Sequence, residues 1–113
     1  MADAQSIFAE IEALLADSRE TQLDRLEHVL TSGYAAALAL EGSRLRLERR
    51  LADAASKVRG RRDGDRAEEI AGLSRELTSA DAELARLRAM LARLRARATA
   101  VRARAAPLRA LDG

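Results

Sequence analysis

Between Ile70 and Ala105 the apolar residues recur in a single seven-residue frame. With Ile70 as a, the a positions are Ile70, Leu77, Leu84, Leu91, Ala98 and Ala105, and the d positions are Leu73, Ala80, Leu87, Leu94 and Val101. All eleven are apolar, which is the pattern of a coiled-coil seam rather than of a strand or a loop. A weaker seam precedes it, with Leu23, Leu30, Ala37, Arg44, Leu51 and Val58 at a and Leu26, Gly33, Leu40, Leu47 and Ala54 at d. The two are separated by Arg59-Gly60-Arg61-Arg62-Asp63-Gly64-Asp65, a polar stretch with two glycines that reads as a turn. A short loop between two long helices makes them antiparallel neighbours. The pattern therefore predicts an all-α fold: a long antiparallel two-helix coiled-coil hairpin led by a short N-terminal helix.

The register can be checked by size. Folding about position 62 sets Leu51 against Leu73, Leu47 against Leu77, Leu40 against Leu84 and Leu30 against Leu94. The small seam positions then face large ones, Gly33 with Leu91 and Ala37 with Leu87, while Leu26 meets Ala98. Arg44 faces Ala80, leaving room for its stem to run outward. Flanking charges follow the same register, with Lys57 near Glu69, Arg50 near Glu76 and Glu41 near Arg88. Asp65 and Glu68 read as a capping box opening the second arm, and Pro107 reads as its stop. Ile7, Phe8, Ile11, Leu14 and Leu15 form a short amphipathic stretch out of frame with the Leu23 seam, and Asp17 with Glu20 reads as a fresh helix start. The expected segments are 1–17 for a short leading helix, 18–58 for the first arm, 59–65 for a basic turn, 66–106 for the second arm and 107–113 for a tail. Arms of about 40 residues would reach roughly 60 Å.

Composition agrees and removes other classes. Phe8 and Tyr34 are the only aromatic residues, so a thick globular interior is not expected. Ala, Leu, Arg and Glu, all strong helix formers, dominate. No Cys is present, which excludes disulfides and thiolate metal sites. The longest apolar run, Tyr34 to Leu40, falls far short of the roughly 20 residues of a membrane span, and no signal peptide is evident. A cytoplasmic location is the expectation. Secreted WXG-type hairpins carry Trp-x-Gly in the turn, and this turn has no Trp.

Candidate chemistry is sparse. His28 is the only histidine, at an outward position of the first arm and without an orienting neighbour in the sequence. Glu68 and Glu69 sit in a first helical turn, where the helix dipole favours negative charge. Gly60 and Gly64 lack the spacing and the Lys-Ser/Thr of a phosphate loop. No catalytic residue, cofactor, metal or small-molecule substrate is expected, and the chain reads as a non-enzyme. From Ala85 to Leu111 eight Arg occur with no acidic residue, which keeps nucleic-acid or anionic-membrane binding as the alternative. Its contacts would lie on that arm or at the tip, with Arg59, Arg61 and Arg62. The acidic N-terminal end, which carries Asp3, Glu10, Glu12, Asp17, Glu20, Asp24 and Glu27, offers internal neutralisation instead.

Two stripes lie off the seam. On the second arm Thr78, Ala82, Ala85, Ala89, Ala92, Ala96, Thr99 and Ala103 occupy b and f positions. On the first arm Tyr34, Leu38, Gly42 and Leu45 form an apolar stripe that a lone hairpin leaves in water. The candidate partner interface is therefore Tyr34, Leu38, Gly42 and Leu45, together with Ile7, Phe8 and Ile11 of the leading helix. The expected function is a self-associating protein-interaction module (scaffold, adaptor or chaperone-like), a homodimer closing into a four-helix bundle and holding another protein. The rival is a three-helix monomer in which the leading helix folds back onto the Tyr34–Leu45 stripe.

Overall fold

The computed structural model describes residues 4–17, 23–58 and 64–112, with side chains of the last segment as far as 105. It is all-helical, with α1 at Ala4–Ala16, α2 at Leu23–Ser56 and α3 at Gly64–Asp112, and no strand among the described residues. The helix–helix packing is that of a helical hairpin. By its contacts the chain divides into two units, one of Met1–Ala37 with Arg86–Gly113 and one of Leu38–Ala85.

The heptad reading of α3 holds along its length. Leu73, Leu84, Leu87, Leu91, Leu94 and Ala98 are buried, and Ile70, Leu77, Ala80, Val101 and Ala105 are half-buried. Every b and f residue of the small stripe, from Thr78 to Ala103, is exposed. On α2 the seam is likewise covered, and Val58, just beyond the end of the helix, is 41% exposed. There the last turn tightens, with the Lys57 and Val58 amides donating to the Ala54 and Ala55 carbonyls at 3.3 and 3.2 Å.

The first unit is a three-helix arrangement. A 13-residue helix such as α1 is marginal alone, so its stability comes from packing its apolar face. Ile7, Phe8, Ile11 and Leu14 are all buried, alongside Leu26, Val29, Leu30 and Ala37 of α2 and Leu87, Met90, Leu91, Leu94 and Ala98 of α3. Gly33 meets Leu91, the pairing expected from size. A Cβ on Gly33 would overlap the Leu91 side-chain methyl and lie 3.7 Å from the Ile11 Cδ1. Glu27 of α2 pairs with Arg102 of α3, and Gly33 further along α2 meets Leu91 earlier on α3, so the two run antiparallel in this unit.

Among the described residues the second unit contains two helical segments, Leu38 to Ser56 of α2 and Gly64 to Ala85 of α3. Its seam is less well covered. Ala54, Leu73 and Leu84 are buried, but Leu40, Leu47, Leu51, Ile70, Leu77 and Ala80 are only half-buried. Two stacked cylinders cover each other along one line, and a third is needed to close the groove beside it.

Three expectations are corrected. Helix α3 does not stop at Pro107 but continues to Asp112. A proline removes one N–H and its hydrogen bond, and the Leu108-Arg109-Ala110-Leu111 that follows is rich in helix formers, so the helix carries on. Asp65 lies inside the first turn of α3 rather than capping it, where its charge still complements the dipole. Lys57 pairs not with Glu69 but with Asp53 on its own helix, at 3.0 Å, and Glu69 pairs with Arg66 at 3.2 Å. Neighbours one turn away meet with less ordering of long side chains than partners on a second helix. Glu20, paired with Asp17 in the expected helix start, lies outside the described residues.

Candidate functional site

The structure divides the candidate partner interface in two. Ile7, Phe8 and Ile11 are 1%, 4% and 0% exposed. They form the core of the first unit and are not available to a partner while α1 is docked. Tyr34 (44%) of the first unit is exposed, so α1 does not cover it as the three-helix rival supposed, and Leu38 (69%) and Leu45 (48%) of the second unit are exposed as well. Within the first unit α1 packs on another side of α2 and α3.

That side is marked by g positions. Val29 of α2 and Met90 and Arg97 of α3, all at g, are buried or half-buried beside α1. A two-helix seam needs only a and d, whereas a helix that meets two neighbours needs an apolar stripe widened to e or g. Met90 and Val29 were the signal available in the sequence. Arg97 was not legible in this way. Its guanidinium donates to the backbone carbonyls of Leu14 and Asp17, partly buried, and so closes the C-terminal end of α1. Those carbonyls are among the acceptors that a helix end leaves unpaired, and a cation there also complements the dipole. The Asp17 amide completes the turn by donating to the Ala13 carbonyl at 3.1 Å.

A second arginine holds the middle of α1. Arg86 lies over the Phe8 ring at 4.6 Å from its centroid and pairs with Glu12. Between α1 and α3 runs an open groove of about 470 Å³ lined by residues including Leu15, Met90 and Arg93. Of the eight Arg between Ala85 and Leu111, then, Arg86, Arg97 and Arg102 are engaged within the first unit, two with carboxylates and one with carbonyls. The candidate anion contacts Arg59, Arg61 and Arg62 lie outside the described residues.

His28 is exposed at the rim of a cavity of about 160 Å³ lined by Glu10, Leu14, Arg25 and Val29. Among the described residues no three His, Cys, Asp or Glu side chains gather as a metal-binding group, and no helix is long and apolar enough to cross a membrane.

In the second unit the seam's one charged position is satisfied at the surface. Arg44 donates from Nε to Asp81 and pairs with Glu48 at 3.1 Å. The Asp81 hydrogen bond, then the Asp81 and Glu48 charges, raise the Arg44 pKa further above its ordinary value, so the residue stays a cation. Two carboxylates on one guanidinium fix its direction, and the exposed pairs themselves contribute little.

Leu38, Gly42 and Leu45 share one face of α2 by helical spacing, one turn apart from each to the next. Leu38 and Leu45 are open to water, and a Cβ on Gly42 would meet nothing within 4 Å except the Arg46 Nη1 at 3.5 Å. The feature is an apolar face with a shallow dip at its centre, built on a rigid helix. Comparison with protein families, curated proteins and solved structures finds no match.

Proposed function

We propose that this chain is a non-enzymatic, self-associating coiled-coil interaction module whose second unit is completed by another helix. The observation that carries this reading is a contrast between the two units. The same heptad seam is fully buried from Leu87 to Ala98, within the unit that contains α1, whereas in the two-helix unit Ile70, Leu77 and Ala80 are half-buried and Leu73 and Leu84 are buried. Leu38 and Leu45 are exposed in that same unit. Large aliphatic side chains on an ordered helix, beside an incompletely covered seam, are the composition of a contact surface. A homodimer forming a four-helix bundle is the simplest completion, because a second copy brings the same unmet requirement. Another protein would use the same face or the free ends, in a scaffold, adaptor or chaperone-like role.

Binding of nucleic acid or anionic membrane draws less support, since three arginines of the basic tract already have partners within the first unit.

Sedimentation equilibrium on the wild type and on Leu38→Glu tests the proposal. Burying a leucine contributes about 1.5–3 kcal/mol, so losing one from each of two copies should weaken association roughly a hundredfold or more. A wild type that stays monomeric at ~100 μM while folding cooperatively would refute self-association.

A further inference from the structure

We propose that the open groove between α1 and α3 of the first unit binds an alkyl-chain carboxylate, with its tail along Leu15, Ala89 and Met90 and its head on Arg93. The groove, at about 470 Å³, falls in the size range of small-molecule sites. Its floor is aliphatic. Met90 is 8% exposed, Leu15 is half-buried, and Ala16 and Ala89 add small exposed methyl groups.

The head group is set by the arginines of this flank. Arg86, Met90, Arg93 and Arg97 follow one another on successive turns of α3. Arg86 reaches Glu12, and Arg97 reaches the carbonyls of Leu14 and Asp17, so α1 and α3 run parallel here and these two arginines bridge them. Arg93 is exposed and differs from both, with no ion pair or hydrogen bond to any described residue. It lines the groove where α1 presents Leu15 and Ala16, whose side chains accept nothing.

An uncompensated guanidinium above an aliphatic trough matches a ligand that is anionic at one end and apolar along its length. The planar fork of arginine suits a carboxylate in particular. The groove's own carboxylate, Glu12, is held by Arg86, which lies seven residues, roughly 10 Å, along α3 from Arg93. Among the described residues no aromatic ring lines the groove, and the flexible Met90 adapts to a linear chain. A partner helix fits less well. A stable protein interface takes about 800 Å² from each side, whereas Leu15 and Met90 are the large apolar side chains on offer. The inference stands apart from self-association, which uses the other unit.

The full chain would be titrated with decanoate and with decylammonium, each below its micelle concentration, and followed by NMR of amides and methionine methyls. Decanoate should bind saturably with a Kd of about 1 mM or tighter, shifting Leu15, Ala16, Ala89 and the Met90 methyl. Decylammonium should bind at least ~fivefold more weakly. Arg93→Glu should reverse that preference. Arg95→Glu, with the same net charge but off the groove, should keep it. Ala89→Glu sets a carboxylate on the exposed part of the floor and should weaken decanoate at least ~fivefold with helicity unchanged. No saturable binding, shifts centred outside the groove, or equal effects of Arg93→Glu and Arg95→Glu would overturn the site. Groove shifts with an acidic amphipathic peptide and none with decanoate would overturn the alkyl occupant in favour of a partner helix. Groove shifts on concentrating the chain alone would overturn it in favour of a second copy.

Discussion

Gly33→Ala adds one methyl group where α2 carries Leu91 of α3 directly over its backbone, and its effect can be worked out with a sign. The backbone at Gly33 has ordinary helical geometry, so alanine meets no conformational obstacle. In an exposed helix the change would stabilise by about 1 kcal/mol through helix propensity and the lost freedom of the unfolded chain. Here the new Cβ overlaps the terminal methyl of Leu91 and approaches its Cγ to 3.4 Å. Leu91 is 2% exposed and the Ile11 Cδ1 lies 3.7 Å from the new Cβ, so the leucine has little space into which to turn. Overpacking of this kind costs typically about 1–3 kcal/mol, which exceeds the propensity gain. The expected net result is a loss of about 1 kcal/mol, read from urea unfolding followed by circular dichroism at fixed protein concentration. The informative measurement is the same substitution in a Leu91→Ala background. With the leucine gone the obstacle is gone, and Gly33→Ala should stabilise by about 0.5–1 kcal/mol. The double-mutant cycle should then report a coupling of roughly 1–3 kcal/mol. A Gly33→Ala chain more stable than wild type, or two changes additive within about 0.3 kcal/mol, would refute the contact and with it the register of the hairpin in this unit.

Arg97→Met keeps the apolar stem and removes both hydrogen bonds to the end of α1; at about 1.5–3 kcal/mol for a charge-assisted bond, amide exchange in α1 should accelerate at least ~tenfold while amides of the second unit keep their protection. Unchanged exchange in α1 would mean that Arg97 does not hold it. Because Arg86, Arg97 and Arg102 have internal partners, binding to duplex DNA at about 150 mM salt should be no tighter than the non-specific range of ~10⁻⁴ to 10⁻⁶ M. A nanomolar complex that weakens steeply with salt would reverse the preference between the two functional readings.

The seam was legible because its cause is local. Eleven apolar residues repeating every three and four positions can sit on one face of only one kind of element, and the structure covers all eleven, from Ile70 to Ala105. The pairing of Gly33 with Leu91 was readable too, since a glycine in a seam leaves a hole and an antiparallel partner in register must fill it. The exposure of Leu38 and Leu45 follows from the same wheel, because both fall off the seam.

What tertiary structure alone decided was where everything not on the seam would go. Helix α1 has an apolar face that could cover either open side of a hairpin. It takes the side of Val29, Met90 and Arg97, and so buries Ile7, Phe8 and Ile11 instead of offering them to a partner. Hydrophobic burial has no direction, and a short amphipathic helix therefore carries no address in its own pattern. The arginine that fastens it bonds to the carbonyls of Leu14 and Asp17, acceptors that every residue possesses and no sequence marks. Lys57 had one carboxylate across the hairpin and another one turn back, and chose Asp53 because in water two such pairs differ by little more than side-chain entropy. Periodicity determined the hairpin, since it sums a free energy over every turn of the helices. The third helix, its fastening and the surface left open rest on single contacts, which only the folded chain brings together.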